Sequence, residues 1–402
     1  MTLENASLKS LQVKVLTTLE EIQAMRNVWT AMQWHPNADL DFYTLIVSVR
    51  SEVLKPYVLV VSRGDEPVAV LAGRVEEGRL EIKMGYKVLW QPRVRRITLL
   101  YGGCMGQTGE DVNRAVVKRL LQSLREQKAD LLSWGGIRWK SPLQQMLSRA
   151  PAFLCRDYLA RPSEHWTMDL PTSLDEFLER KMNKKHRYWA KRAMRVLEKD
   201  FPGAVRYRCV TTPEDVETLF SHTVQVARKT YQWGLGVGFQ DNEENRKRLR
   251  LAAQKGWLRG YLLYLKEEPV AFWICTVYGD TVHLDFTGFD PELRKYEIGT
   301  ALFLRMLGEL GAQNVRHLDF GLGTAFYKER FGDGKFEETT MCVFGSSARA
   351  LGLSVLRLLT GGPSELARAL LLRFRLEQKV KRIWRGLVTP AQEKKEPSAA
   401  KL

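Results

Sequence analysis

The chain has 402 residues, more than a single hydrophobic core usually organises, so two domains are expected. Its 45% hydrophobic and 27% charged residues are those of an ordinary globular protein, and no apolar run approaches the roughly 18–20 residues of a membrane-spanning helix. With 62 Lys and Arg against 46 Asp and Glu the formal charge is +16, which favours anionic partners such as coenzyme phosphates, nucleotide sugars, tRNA or an acidic membrane face without choosing among them. Residues 1–14 lack the apolar centre of a signal peptide, and five scattered cysteines without a CxxC fit reduced thiols in a cytoplasmic protein. The six histidines show no metal-ligand spacing, so no metal is expected.

In chain order, periodicity predicts a strand at 12–16 and a helix at 18–33, then extended segments at 57–62, 66–74, 79–84 and 97–101. A glycine-bearing loop, 102–109, precedes a helix at 112–127 striped by Val116, Val117, Leu120, Leu121 and Leu124, and 131–134 is a short strand running into Gly135 and Gly136. The second half repeats the plan: a strand at 204–210, a helix at 213–230, strands at 260–265, 269–277 and 281–288, a helix at 299–310 and a strand at 317–320 closed by Gly321. In both halves the second and third strands are joined by a turn with the same four residues, Glu66-Pro67-Val68-Ala69 and Glu268-Pro269-Val270-Ala271. Matched turns within a matched order of elements predict an internal duplication of an α/β unit. Each unit should be a mostly antiparallel mixed sheet, with a parallel pair where the 112–127 and 299–310 helices cross over.

Between the halves, 173–200 is a helical segment loaded with Lys and Arg. Beyond the second half, 349–359 and 364–387 read as two amphipathic helices separated by Gly361-Gly362-Pro363, and the last dozen residues read as a disordered tail. The second helix has an apolar stripe (Ala369, Leu372, Leu376, Val380, Ile383) among basic residues, which fits either docking on the domain or peripheral contact with an anionic membrane. The organisation is therefore an N-terminal domain over 1–165, a second over 166–345, amphipathic helices over 346–388 and a tail over 389–402.

The candidate chemistry lies between 281 and 332. The strand at 281–288 alternates, placing Thr281, His283, Asp285 and Thr287 on one face and Val282, Leu284 and Phe286 on the other, so the polar face must look onto water or a cleft. Loop 289–297 leads into a helix N-terminus, whose free N–H groups suit a pyrophosphate. Asp285, His283 and Asp319 are candidate bases at strand ends, Tyr327 a candidate general acid, and Lys328 a candidate holder of phosphate or developing negative charge. The aromatic, glycine-rich stretch 231–239 lacks the Lys-Ser/Thr of a P-loop, and its Tyr231 and Trp233 are candidate substrate-binding residues.

The run Phe289-Asp290-Pro291, Gly299-Thr300-Ala301-Leu302, Leu318-Asp319-Phe320-Gly321, Tyr327-Lys328 and Phe331-Gly332 resembles the GNAT-like acetyltransferase family found in exopolysaccharide and cellulose biosynthesis clusters, over about 169–344. Tyr-Lys followed by Phe-Gly is also similar to the Fem-type aminoacyltransferases, which carry tandem GNAT-like domains. The resemblance implies two GNAT folds and acyl transfer, with acyl-CoA as donor, to an amine or hydroxyl of a saccharide-type acceptor. It implies Arg294, Gly299 and Thr300 as coenzyme-binding residues and Lys328 as a functional one. The family's coenzyme loop reads Gln/Arg-x-x-Gly-x-Gly/Ala, and Glu297 stands here where its first glycine belongs. A tRNA-dependent aminoacyl transfer and a catalytically inactive GNAT scaffold are the alternative readings.

Overall fold

A computed structural model describes residues 10–373 except 86, 183, 235, 237 and 314. Fourteen strands run in chain order: β1 Leu11–Leu16, β2 Val53–Arg63, β3 Glu66–Arg79, β4 Ile82–Met84, β5 Lys87–Trp90, β6 Arg93–Gly106, β7 Leu131–Arg138, β8 Ser163–Asp169, β9 Val205–Val210, β10 Leu258–Leu265, β11 Glu268–Tyr278, β12 Thr281–Phe289, β13 His317–Leu322 and β14 Gly334–Phe344. Twelve of them form one mixed sheet in the order β1-β2-β3-β6-β7-β14-β8-β13-β12-β11-β10-β9, and β4 and β5 make a separate hairpin.

The repeat seen in the sequence is present in detail. The β2–β3 turn joins Arg63 to Glu66 and the β10–β11 turn joins Leu265 to Glu268, so Glu66 and Glu268 occupy equivalent positions. Both hairpins then slip register at the same step, where Ser62 pairs Pro67 but Val61 pairs Ala69, and Tyr264 pairs Pro269 but Leu263 pairs Ala271. A proline has no N–H to give the ladder, and the slip beside it bulges out Val68 and Val270. The parallel pairs also match: β6 runs parallel to β7 through Arg96–Leu99, and β12 to β13 through Thr281–His283.

Each half of the sheet lies between two helical layers. In the second half, one face packs Trp273, Val282, Leu318 and Phe320 against Phe303, Met306, Leu307 and Leu310 of the helix Ile298–Gly311. The other packs Leu262, Phe272 and Ile274 against Leu219, Phe220 and Leu249 of the helices Val216–Ala227 and Glu243–Gln254. Side chains alternate across a strand, so each strand feeds both layers, and a buried Leu or Phe contributes about 2 kcal/mol or more.

At the centre the halves are interwoven. β14, from the end of the second half, pairs with β7 of the first, and β8 pairs with β13, while β14 and β8 pair with each other. The expected boundary at 165/166 falls inside β8.

Several local expectations need correction. The helix expected at 18–33 is two, Leu19–Ala24 and Arg26–Met32, broken at Met25. The loop expected at 102–109 is mostly strand, since β6 continues to Gly106. The two helices expected beyond 348 are one, Ala348–Arg373, running through Gly361-Gly362-Pro363, where Pro363 has no N–H to give the helix and so removes one backbone hydrogen bond without ending it. The side chains of 364–373 and everything beyond 373, hence most of the basic amphipathic stripe and the tail, lie outside the described residues. The alternation on β12 breaks at Asp285: Ile274 pairs Phe286 while the next residue, Cys275, pairs Leu284, so Asp285 is the extra residue of a bulge. Val282 and Leu284 therefore pack on the layer of the helix Ile298–Gly311, whereas Phe286 turns to the opposite core. Among the described residues no helix is long and apolar enough to cross a membrane.

Candidate active site

β12 and β13 stay paired for three residues only, and His283 and Asp319 form the last pair before they part. The matching last pair in the first half is Leu99 and Trp134, which has no titratable group. The chemistry thus concentrates where the second parallel pair opens.

Asp319 is the hub. Its Oδ1 accepts from Gly321 N at 2.6 Å and meets His165 Nε2 at 2.6 Å, and its Oδ2 lies 3.4 Å from His283 Nδ1. His165 is carried by β8, is 2% exposed, and its Nδ1 reaches Glu338 Oε2 of β14 at 3.0 Å and the Tyr101 hydroxyl at 3.1 Å. The imidazole stacks on the Phe336 ring at 4.6 Å and lies nearly parallel to the Tyr101 ring at 5.9 Å, and the Arg138 guanidinium lies 3.5 Å over the Phe336 ring. His35, from the first half, sets its ring edge-on to His283 at 4.7 Å, and its Nδ1 accepts Asn37 N–H. Gly102 is required beside it: its φ is +73°, and a Cβ there would lie 2.4 Å from the His35 ring.

This setting fixes the charges. Burial opposes a charge on His165, but hydrogen bonds to Asp319 and Glu338 outweigh it and raise its pKa to about 9. Burial likewise pushes the Asp319 carboxyl up, and hydrogen bonds from His165 and His283 override it, leaving the group well below the usual carboxylate range. Asp319 is therefore a firm anion that orients two imidazoles, and a weak proton acceptor. Burial, reinforced by His283, lowers His35 to about 3 and keeps it neutral.

Lys328 sits on the short helix Phe326–Phe331, is 7% exposed, and donates from Nζ to the carbonyls of Leu322 (2.8 Å) and Gly321 (3.1 Å). Burial lowers its pKa to about 8, against the pull of Asp319. The Tyr327 ring packs edge-on against Trp273 at 5.3 Å and beside Phe320. The Trp273 indole donates to Gly299 O at 3.2 Å, tying that aromatic group to the first turn of the helix Ile298–Gly311.

The other sequence candidates are spread around this centre. Asp285 is exposed and accepts from Thr276 Oγ at 2.6 Å. Arg294 is exposed on the turn Pro291–Tyr296, and Gly299 and Thr300 stand half-buried in the first turn of the following helix. Trp233 packs on the layer containing Phe239 and Phe286, with Arg228 5.6 Å over its ring; the Tyr231 side chain lies outside the described residues. Glu297 has a left-handed backbone (φ +51°), which accounts for a glycine at this place in the family pattern. Its half-buried Oε2 has no hydrogen-bond partner and stands 3.9 Å from Arg330; burial raises its pKa although Arg330 opposes this.

His35, Tyr101, His165 and Glu338 escaped the sequence reading because they lie far apart in the chain and converge only in the folded sheet. His35, His283 and Asp319 bring ligand atoms within 4.8 Å of one another, close enough for a metal ion, which local spacing had not shown. His35 Nδ1 already accepts from Asn37 N–H, and Asp319 Oδ1 already meets Gly321 N–H and His165 Nε2.

Comparison with known proteins agrees with this architecture. Residues 184–329 match the acetyltransferase (GNAT) domain family. The C-terminal domain of a candidate lysylphosphatidylglycerol synthetase from Agrobacterium fabrum superposes with a TM-score of 0.50 at 12% identity, over 85% of this chain and 97% of that one. This is a tandem GNAT fold. FemX (TM-score 0.49, 12% identity, 81% and 96% coverage) and a GCN5-related N-acetyltransferase from Sphaerobacter thermophilus (0.43, 11%, 83% and 95%) are also structurally similar. No curated protein matches the sequence. The GNAT match covers the opening of β12 and β13, the loop 289–297 and Lys328, while His165 and Glu338 lie outside it.

Proposed function

We propose that the chain is an acyltransferase moving an acyl group from acyl-CoA to an amine or hydroxyl of a saccharide-type acceptor, in polysaccharide or cell-envelope biosynthesis. The observation that carries this reading is the convergence of His283, Asp319 and Lys328 where β12 and β13 part. An acyl donor bound there supplies an activated carbonyl. His283, oriented through Nδ1 by Asp319, is placed to take the proton of the acceptor amine or hydroxyl. Lys328 holds a buried positive charge whose pKa of about 8 is close to that of a thiol, so it can offset leaving-group charge and return a proton. The N–H groups at the start of the helix Ile298–Gly311, with Arg294, would face the donor's phosphates.

The fit to coenzyme A is incomplete at Glu297, whose unpaired carboxylate oxygen lies beside that helix start. The formal charge of +16 favours a second reading, aminoacyl transfer from a charged tRNA. Thermal-shift titrations with coenzyme A, acetyl-CoA and charged tRNA separate the two. A true donor at 100 times its dissociation constant stabilises the fold by about 2.7 kcal/mol. A shift with tRNA alone replaces the first reading by the second, and no shift with any of them leaves an inactive scaffold.

Glu297→Gly sharpens the test. Glycine accepts the left-handed backbone without the penalty of roughly 1 kcal/mol borne by other residues, so the variant should unfold at higher denaturant concentration. It should also bind coenzyme A more tightly, because a buried anion is removed from beside the phosphates. Unchanged coenzyme affinity in a stabilised variant would place the pyrophosphate elsewhere.

A further inference from the structure

Between the halves lies a cavity of about 310 Å³ whose lining includes Asn37, Phe42, Arg50, Arg74, Tyr101 and Arg248. It meets a smaller gap, about 40 Å³, that shares Asn37, Phe42 and Arg248 and adds Thr276 and Asp285. Its volume is at the small end for a metabolite site.

Among the described residues its wall carries three guanidinium groups, Arg50, Arg74 and Arg248, and no carboxylate. Arg50 grips Glu244 with two hydrogen bonds, at 2.7 and 2.8 Å, and Arg248 stands 3.8 Å from the same carboxylate, beyond hydrogen-bond reach. Buried Arg74 pairs with Glu76, which is also held by Arg96 at 2.6 Å. Behind that wall these groups meet Glu244 and Glu76, and Asp285, which accepts from Thr276, lines the adjoining gap beside Arg248. Glu244 is held below its ordinary pKa by these arginines although burial opposes it, so the carboxylates are already fully charged and have no further negative charge to offer. Arg74 is buried and Arg50 and Arg248 are half-buried, so positive charge facing a cavity with no carboxylate in its wall is costly unless an anion meets it.

The cavity also adjoins the reacting centre, because Tyr101 forms part of its wall and hydrogen-bonds His165, which holds Asp319. We infer that this cavity binds the acceptor through an oxyanion, a phosphate or carboxylate, with Arg248 as the principal contact and Arg50 and Arg74 beside it. Calling the bound molecule the acceptor rests on the acyl-transfer reading; the anion site does not.

The test is calorimetric titration at low ionic strength, without any acyl donor. The probes are inorganic phosphate and glucose 6-phosphate, with glucose as the uncharged counterpart. Glucose 6-phosphate should bind saturably and be displaced by phosphate, and glucose should not bind. Arg248→Gln should weaken binding at least tenfold and Arg248→Lys less. Asn37→Phe, which fills the cavity without removing charge, should weaken it as well. Lys87→Gln, an equal loss of charge on the distant β4–β5 hairpin, should leave it unchanged. Displacement of glucose 6-phosphate by anionic phospholipid vesicles would support the same site with the phosphate supplied by a lipid headgroup. Equal losses in Arg248→Gln and Lys87→Gln, or folded Arg248→Gln and Asn37→Phe proteins with wild-type affinity, would overturn the inference. Because no donor is present, failure here leaves the acyl-transfer reading intact, and failure of coenzyme binding leaves this site intact.

Discussion

Replacing Asp319 by asparagine is expected to lower turnover about 100-fold or more and to change how stability depends on pH. The catalytic loss follows from orientation: without the carboxylate, His283 Nδ1 has no anion to fix its ring and tautomer. The stability change follows from His165, whose pKa is raised from 6.5 to about 9 in the folded protein. A base with a raised folded pKa contributes stabilisation that is fully present below pH 6.5 and lost as the pH climbs through about 9. At about 1.4 kcal/mol per unit this amounts to about 3 kcal/mol. In Asp319→Asn Glu338 is the one carboxylate left to hold the His165 proton, so the alkaline decline should still begin near pH 6.5 but be smaller and end at lower pH. Denaturant midpoints measured from pH 6 to 10 read this directly. A variant with wild-type turnover and an unchanged pH profile would remove Asp319 from the centre of the site.

Lys328→Met should also lower turnover about 100-fold, roughly 3 kcal/mol of barrier, with a much smaller effect on stability near neutral pH. Its linkage has the opposite sign to that of His165. The folded protein lowers the lysine from 10.5 to about 8, so burying the protonated amine is unfavourable below pH 8, and the penalty is relieved between 8 and 10.5. The wild type should therefore lose stability as His165 deprotonates and recover part of it as Lys328 does. The methionine variant should show the decline without the recovery. If activity depends on the ammonium, wild-type turnover should fall above about pH 8, and the residual activity of Lys328→Met should lack that limb. A variant that keeps full turnover would leave Lys328 with a packing role only.

The sequence showed the repeat because hairpin chemistry is local. Two residues of turn followed by Glu-Pro-Val-Ala impose the same register slip in both halves, and a four-residue match exposes it. The long apolar stripes at 112–127 and 299–310 were legible for the same reason. β8 and β14 were missed because they are completed by partners far away in the chain, and 334–344 carries Lys, Glu and Thr in place of a clear apolar alternation. The bulge at Asp285 was hidden because an extra residue looks like ordinary alternation until the neighbouring strand fixes the pairing. The site divides along the same line. His283 and Asp319 lie on strands and Lys328 on a short helix within the one stretch 281–332, whereas His35, Tyr101, His165 and Glu338 come from four separate places in the chain.

The exchange of β8 and β14 between the halves also constrains the protein's history. His165 rides on one exchanged strand and Glu338 on the other, with Phe336 paired directly across from His165. Neither copy can close its own sheet or assemble the charged core from its own residues. Deleting one copy would leave a raw sheet edge and a stranded imidazole together, so this duplication cannot be reduced to a working single unit by simple loss. The first copy, though its own parallel pair ends in Leu99 and Trp134, supplies His35, Tyr101 and His165 to the cluster around Asp319.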